Sequence, residues 1–317
     1  MPVIIIGNPD TMNYSAGTAY SVSGDHYLSY ADGDPDRLFS FTSHFAYADA
    51  RLWSVIAKRL RFLRADGREE LRVLDAGCGP GTWLRRIVTE AHRLGFKEIE
   101  ATGFDIAETQ IAKARDLTRD VRHLPGVSLS FEVRDLTQPL PEAERCADLT
   151  LCLYCVLNHL PQDGLPAVIA ELSRVTRGIF VTTVWTIGSL PTAYVDSLDH
   201  ARAFRQDNDL DRFEVELLDG QQFNFPSHLF AAREFESLMK DAFTIDSLRG
   251  LDLFHSRFSP DPRWNPEALP SDEALVRVLA RLEDRFATHP AFIDRATHIL
   301  LIGRPRCAAA PLQAPAA

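Results

Sequence analysis

The sequence LRVLDAGCGPGTWLRRI spans Leu71 to Ile87 and changes character twice within seventeen residues. It begins with the apolar run LRVLD (71–75), which predicts a buried β-strand. Three glycines follow in G-x-G-x-G spacing, and Pro80 then stands at the start of a predicted helix that runs to about Leu94. A strand, a glycine-rich turn and a helix in this order predict a ligand-binding corner, because the carboxyl ends of parallel strands carry the binding crevice in open α/β sheets.

Strand and helix signals continue to alternate after that corner. Apolar and β-branched runs predict further strands at 99–105, 127–135, 148–157, 178–185, 243–254 and 297–304. The run 148–157 is almost continuously apolar, which is typical of a strand covered on both faces. This alternation predicts an α/β domain with a mostly parallel sheet and right-handed helical crossovers.

The residues of the glycine loop favour a ligand that carries an amino group and a carboxylate. The loop lacks both the G-x-G-x-x-G spacing of dinucleotide-binding corners and the Lys-Ser/Thr pair of phosphate-cradling loops. Its glycines allow the backbone to approach a ligand closely, and the next helix offers unpaired N–H groups at its N-terminus. Asp75, beside the loop, would repel a phosphate and attract an ammonium group.

The nine residues VLDAGCGPG (73–81) resemble motif I of the class I methyltransferases, which bind S-adenosylmethionine. The resemblance extends from Leu71 to Phe180 and weakens over 1–60 and 186–240. It implies a Rossmann-like, seven-stranded, mostly parallel sheet whose last strand is antiparallel. It also implies that the loop contacts the cofactor through the residues Asp75, Gly77, Cys78, Gly79 and Gly81.

Further cofactor contacts follow from the same resemblance, at the ends of the later strands. Asp105 stands where these enzymes place an acid on the two ribose hydroxyls, and Ile106 would pack on the adenine. Asp135 and Leu136 match the pair that meets the adenine edge. The segment YCVLNHLP (154–161) resembles the one that borders the methionine part and the reaction space, which makes Tyr154 a cofactor contact.

The N-terminal segment 1–65 contains a tyrosine-rich stretch and a helix predicted at 45–63. In small-molecule enzymes of the resembled family such a segment often closes over the cofactor, so we expect a lid here. Tyr20 is a candidate cofactor contact. Tyr27 is a candidate catalytic residue, because a tyrosine face stabilises a sulfonium by about 0.5–2 kcal/mol through cation–π attraction.

The remaining organisation is simple. We expect an S-adenosylmethionine-binding domain at 66–304, which carries a substrate-covering insertion at 186–229 where aromatic and acidic residues lack clean alternation. The residues 305–317 are low in complexity and are expected to form a disordered tail.

Three functions remain open from the sequence. The first is methyl transfer to a small-molecule acceptor, with Asn158 and His159 as polar candidates near the chemistry; a histidine of near-neutral pKa could take a proton. The second is intramolecular cyclisation of S-adenosylmethionine to azetidine-2-carboxylate with release of methylthioadenosine, because HYLSYADG (26–33) and FNFPSHLF (223–230) are similar to synthases of that amino acid. The third is cofactor binding without turnover.

The composition of the chain restricts the classes of molecule that it can bind. The formal net charge of −10 and the pI near 5.5 argue against a nucleic-acid partner, and the chain lacks the N/D-P-P-Y/F motif of amine-directed nucleic-acid methyltransferases. Five cysteines without a disulfide-like spacing predict a reducing cytoplasm, and Cys152 and Cys155 are expected to pack in the core. No apolar run reaches the length of a membrane span, no metal site is indicated, and nothing indicates the oligomeric state.

Overall fold

The computed structural model describes residues 38–41, 46–189, 201–218, 220–255 and 273–306, together with the single positions Gly17 and Ser21. The candidate lid residues Tyr20 and Tyr27 lie outside the described residues, as do 307–317 of the predicted tail.

The described strands form one large and one small sheet. They are β1 (Glu70–Ala76), β2 (Glu98–Asp105), β3 (Val127–Val133), β4 (Ala147–Cys152), β5 (Thr176–Trp185), β6 (Ala201–Asp207), β7 (Arg212–Leu217), β8 (Gln222–Pro226), β9 (Phe243–Leu251) and β10 (His298–Pro305). The large sheet has seven strands in the order β3-β2-β1-β4-β5-β10-β9. Strands β1 to β5 pair in parallel, whereas β10 is antiparallel to both β5 and β9. The prediction of a seven-stranded, mostly parallel sheet with an antiparallel last strand is confirmed.

Helices cover both faces of this sheet. They are α1 (Ala46–Ala65), α2 (Thr82–Arg93), α3 (Glu108–Leu117), α4 (Arg119–Arg122), α5 (Leu165–Val175), α6 (Ala232–Met239), α7 (Glu273–Phe286) and α8 (Pro290–Ile293). Leu52, Leu84 and Ile111 belong to one apolar core, under α1, α2 and α3, and Ile169 and Phe235 belong to a second, under α5 and α6. Full burial of each such side chain stabilises the fold by about 1.5–3 kcal/mol. The packing of helices on both faces of the sheet therefore holds the carboxyl ends of its strands in fixed positions.

The small sheet, β6-β7-β8, is antiparallel and lies within the predicted insertion. Phe213 on β7 pairs with Phe225 on β8, and their ring centroids are 5.4 Å apart. Both side chains are buried, while charged residues such as Glu214 alternate with them along the strand. The sequence does not predict these strands, because each is short and only a few apolar residues mark its inner face.

Several predicted element boundaries were wrong, among them the end of β9, which lies at Leu251 and not at 254. Strand β3 ends at Val133 and not at 135, and α2 begins at Thr82, after Gly81, and not at Pro80. Strand β4 ends at Cys152 and not at 157, because Tyr154 and Cys155 adopt left-handed backbone angles (φ 53° and 70°) that no strand permits. A short 3₁₀ helix, Val156–His159, follows.

Candidate functional site

The candidate site lies at the carboxyl ends of β1 and β4. The chain leaves β1 toward β2 and β3 and later returns to β4 on the other side, so strand order reverses between β1 and β4. Asp75 at the end of β1 is in register with Leu151 near the end of β4. Such a reversal opens a crevice between the two connections, and open α/β sheets bind their ligands there.

The glycine loop forms one wall of this crevice. Gly77, Gly79 and Gly81 all have positive φ values, of 75°, 50° and 78°. A Cβ on Gly77 would lie 2.3 Å from a methyl carbon of Val156, and one on Gly81 would lie 2.9 Å from the ring of Phe131. No described atom lies within 4 Å of the same position on Gly79. Packing therefore explains two of the glycines, whereas Gly79 faces open space of the kind a ligand needs.

Asp105 holds this loop in place from the end of β2. Its Oδ2 accepts a hydrogen bond from Gly79 N at 3.0 Å, and its Oδ1 accepts one from Ala107 N at 2.9 Å. Burial raises the pKa of Asp105, while these backbone hydrogen bonds oppose the shift. The carboxylate thus joins the loop to the start of α3 and retains lone pairs for a ligand.

Asp75 is the most unusual group of the site. Its side chain is 1% exposed, and Oδ2 has no hydrogen-bond partner within the described part of the chain. Burial, together with the nearby charge of Asp105, raises the pKa of Asp75 to about 7. A buried carboxyl oxygen without a partner is costly unless a ligand satisfies it, and an ammonium group would do so.

The other loop residue predicted to contact the cofactor, Cys78, is a buried free cysteine. Its backbone N donates to Phe104 O at 2.9 Å, which ties the loop to β2. Burial and the charges of Asp75 and Asp105 raise the pKa of the Cys78 thiol well above its ordinary value, so the thiol stays neutral. The side chain of Cys78 therefore offers no charge to a ligand.

The predicted adenine contacts lie beyond β2 and β3. Ile106 is 44% exposed, and a Cβ on Gly17 would lie 3.2 Å from its Cγ2, so Gly17 lies close to Ile106. Asp135 Oδ1 accepts from both N and Oγ1 of Thr137, at 2.9 and 2.8 Å, and Leu136 is buried. Asp135 therefore closes a turn through one oxygen, which leaves its other oxygen for a ligand.

Tyr154, just after β4, belongs to a polar group that the sequence did not reveal. Its hydroxyl donates to Asp49 Oδ1 on α1, and its backbone N donates to Thr183 Oγ1 at 2.7 Å. Asp49 Oδ2 lies 3.7 Å from Arg86 Nη1 on α2. The signal in the sequence is an acid, Asp49, at helical spacing from the apolar stripe of α1, whose member Leu52 follows three residues later.

Asn158 connects the sheet to the insertion. Its Nδ2 donates to the backbone oxygens of Trp185, at 3.2 Å, and His228, and its Oδ1 accepts from Trp185 N at 3.0 Å. His228 N donates to Asn158 O at 2.8 Å. The side chain is fully buried, and these backbone contacts use its donors and acceptor.

His159 lies beside it, between the sheet and β8. Its Nδ1 is 2.9 Å from Pro226 O, and its ring packs edge-on against Trp185 and Phe225. Burial lowers the pKa of His159 to about 4, against the near-neutral value expected from the sequence. The imidazole is neutral at pH 7, and Nδ1 is the protonated nitrogen because a carbonyl only accepts.

Comparison with known proteins agrees with this geometry. A family described as "Methyltransferase domain" matches residues 73–178, from β1 into β5. The malonyl-[acyl-carrier protein] O-methyltransferase of Pectobacterium atrosepticum is 33% identical over 124 residues, which cover 38% of this chain and 41% of that protein. The chain thus spans about two fifths of the length of this relative.

Solved structures match over a much longer stretch. Magnesium protoporphyrin IX methyltransferase from Synechocystis PCC 6803, with bound SAH, is 16% identical with a TM-score of 0.50, over 92% of this chain and 98% of that one. This chain has the class I methyltransferase fold. The [4+2]-cyclase SpnF is 18% identical with a TM-score of 0.53, over 92% of this chain and 97% of its own. The matched domain and the fold support S-adenosylmethionine as the cosubstrate.

Two features of the described residues bear on partners. None of the helices in this part of the chain is long and apolar enough to cross a membrane. The same residues contain no group of three or more His, Cys, Asp or Glu side chains that could hold a metal ion.

Proposed function

We propose that this chain is an S-adenosylmethionine-dependent methyltransferase that acts on a small-molecule acceptor. The observation that carries the proposal is the open position above Gly79, in a loop that follows the buried carboxyl of Asp75 and is held by the half-buried carboxylate of Asp105. Two carboxyls at a glycine loop disfavour a phosphate and favour a ligand with an ammonium group and hydroxyls.

Different residues would bind different parts of the cofactor. Asp75 would accept from the ammonium group of the methionine part, and the N–H groups at the start of α2 would meet its carboxylate. Asp105 would accept from the ribose hydroxyls. Ile106, Asp135 and Leu136 would hold the adenine, with Tyr20 of the N-terminal lid above the cofactor.

Cofactor binding should depend on pH through Asp75. Its pKa of about 7 in the free protein must fall when an ammonium group binds beside it, so the complex holds fewer protons than the free protein. Affinity should therefore rise with pH up to about 7 and then level, by at most about tenfold per pH unit. Titration calorimetry with S-adenosylmethionine between about pH 5.5 and 7.0 keeps the ligand's amine protonated.

The matched control for that titration is Asp75→Asn, which preserves the shape of the side chain. It should bind more weakly than the unchanged protein at pH 7 and show a nearly flat profile below it. A wild-type affinity that does not change over this range would place the ammonium group elsewhere.

Methyl transfer requires little acid–base catalysis by the protein. Bound S-adenosylmethionine supplies an electrophilic methyl carbon beside a sulfonium, and the chain aligns the acceptor and excludes water. Tyr154 would wall the reaction space, and Tyr27 would contact the sulfonium from the lid. We assign Asn158 and His159 to positioning the insertion, because their polar atoms bind backbone and a pKa of about 4 makes His159 a weak base.

We propose a small-molecule acceptor because the charge of the chain disfavours a nucleic acid. A net charge of −10 opposes binding to the phosphates of nucleic acid.

We also propose a reducing, cytoplasmic environment, because Cys152 and Cys155 are buried free cysteines.

Cyclisation to azetidine-2-carboxylate is the second candidate, and Asp75 favours it. Asp75 Oδ2, a buried oxygen without a partner among the described residues, would accept the proton that the ammonium group gives up. The neutral amine would then form its bond to the γ-carbon as the carbon–sulfur bond breaks, with the electron pair leaving on methylthioadenosine. The structural neighbour SpnF is a [4+2]-cyclase, so proteins of this fold are not confined to methyl transfer.

One incubation separates these functions. We expect that S-adenosylmethionine with an acceptor panel of small amines, phenols and carboxylic acids yields S-adenosylhomocysteine only when the right acceptor is present. Methylthioadenosine from S-adenosylmethionine alone would instead establish cyclisation, and binding without either product would contradict both. Asp105→Ala serves as the binding-deficient control, and liquid chromatography with mass spectrometry identifies the products.

A further inference from the structure

We propose that Asp49, acting through Tyr154, makes this site prefer a sulfonium over a thioether, and so S-adenosylmethionine over S-adenosylhomocysteine. Tyr154 is the specificity-determining residue, and Asp49 is its positioning residue. The inference rests on the proposed use of S-adenosylmethionine.

The hydrogen bond between them fixes what Tyr154 can offer. The phenol O–H donates to Asp49 Oδ1, and Asp49 is 2% exposed, so water does not compete for this bond. A phenol has one proton, and here that proton is committed. Toward any other neighbour the phenol oxygen is an acceptor only, with a carboxylate behind it that strengthens its negative potential.

Two contacts place Tyr154 beside the glycine loop. Val156, two residues later, packs so closely on Gly77 that a Cβ there would lie 2.3 Å from its methyl carbon. The ring of Trp83, the second residue of α2, is 6.4 Å from the Tyr154 ring, centroid to centroid. Both contacts lie beside the loop at which the ligand's methionine part, and hence its sulfur, is proposed to bind.

A nearby cation, Arg86, is itself covered. Arg86 Nη1 lies 3.7 Å from Asp49, its Nε donates to Leu38 O at 2.9 Å, and its guanidinium lies over the rings of Phe41 and Trp83 at 4.9 and 4.8 Å. Arg86 meets Oδ2 of this carboxylate, whereas Tyr154 donates to Oδ1. Arg86 therefore fixes the position of Asp49 while its own guanidinium is packed against two aromatic rings.

One further acid, Asp252, follows the end of β9. Burial, followed by the charges of Glu283 and Asp49, raises the pKa of Asp252, which favours its neutral form, so the charge that acts on Tyr154 is that of Asp49. His298, which pairs with Leu251 just before Asp252, meets the Tyr154 ring edge-on at 5.5 Å between centroids. A positive sulfur near Tyr154 would be attracted by the phenol oxygen and the Asp49 carboxylate behind it, whereas a neutral thioether would not.

The site would therefore prefer S-adenosylmethionine to S-adenosylhomocysteine. S-adenosylmethionine and S-adenosylhomocysteine share the adenine, the ribose and the amino acid, and differ at the sulfur by a methyl group and a positive charge. An interaction with that charge is lost when the methyl group leaves. The site would therefore release its product more readily than it releases its cosubstrate.

The test compares the affinities of both ligands in three variants by titration calorimetry. Tyr154→Phe keeps the ring and removes the oxygen, and Asp49→Asn keeps the shape and removes the charge. Tyr47→Phe is the matched control, because Tyr47 lies on the same helix but its hydroxyl accepts from Arg51 Nε at 3.0 Å. We expect the ratio of the two affinities to fall about tenfold in Tyr154→Phe and Asp49→Asn, as for the loss of one charged contact, and to stay unchanged in Tyr47→Phe.

The ratio is the informative quantity because a purely structural role weakens both ligands alike. Parallel losses, or an unchanged ratio in Tyr154→Phe, would overturn the inference while leaving the proposed function intact. If the unchanged protein binds neither ligand, the proposed function itself fails. Thermal unfolding of each variant identifies loss of fold, and Tyr154→Phe, which retains the Asp49–Arg86 pair, decides the matter if Asp49→Asn does not fold.

Discussion

Replacing Asp105 with alanine is expected to weaken binding of S-adenosylmethionine by at least about 100-fold. Two proposed hydrogen bonds from the ribose to a charged acceptor contribute about 1.5–3 kcal/mol each, so their loss alone accounts for this factor. The substitution also removes the acceptor for Gly79 N and Ala107 N, which lie 3.0 and 2.9 Å from the carboxylate. The loop would lose its tie to β2 as well as its contact with the ligand.

These two effects can be separated. Asp105→Asn retains one side-chain oxygen, which can still accept from Ala107 N and keep the start of α3 in place, but it lacks the negative charge. It should unfold at nearly the temperature of the unchanged protein and still bind at least about tenfold more weakly, as for the weakening of one charged hydrogen bond. Calorimetry gives the affinities and thermal unfolding without ligand gives the stability. A folded Asp105→Ala protein with unchanged affinity would show that the ribose lies elsewhere.

The sheet was predictable because the residues of each strand are themselves enough to indicate a strand. Strand β4 is buried along its whole length and β5 over its last seven residues, as mostly apolar runs predict, and Gly81 marks the turn before α2. The end of β4 was not predictable, because Leu153 and Cys155 are as apolar and buried as the strand itself. The strand stops there for a conformational reason, the left-handed backbone at Tyr154, which composition does not record.

The residues of the candidate site likewise fall into two groups, those that a sequence motif predicts and those that it does not. The loop and Asp105 follow from motif and strand order, which are local. The bond between Tyr154 and Asp49 joins residues 105 positions apart and depends on how α1 packs beneath the crevice. Likewise, the low pKa of His159 arises from burial against β8, a strand that the sequence did not predict. Contacts between distant elements escape a sequence pattern unless a polar residue interrupts an apolar stripe, as Asp49 does.

Replacing Gly79 with alanine is expected to leave a folded protein that binds S-adenosylmethionine about 100-fold more weakly. The new methyl group meets no described atom within 4 Å, so only the left-handed backbone (φ 50°) opposes it, at about 1–2 kcal/mol. If the ligand occupies the open space above Gly79, however, the methyl group collides with it, and such overpacking costs about 1–3 kcal/mol. Calorimetry and thermal unfolding measure the two consequences separately.

Gly67 and Gly77 make this experiment decisive. Gly67 also has a positive φ, of 83°, and no described atom within 4 Å, but it lies in the turn between α1 and β1, so Gly67→Ala should cost similar stability and no affinity. Gly77→Ala adds a clash at 2.3 Å with Val156 and should destabilise the fold by about 2–5 kcal/mol, partly restored by Val156→Ala. Equal affinities in Gly79→Ala and Gly67→Ala would mean that the space above Gly79 is not where the ligand binds. A loss confined to Gly79→Ala would instead locate the ligand at the glycine of the loop that packing leaves unexplained.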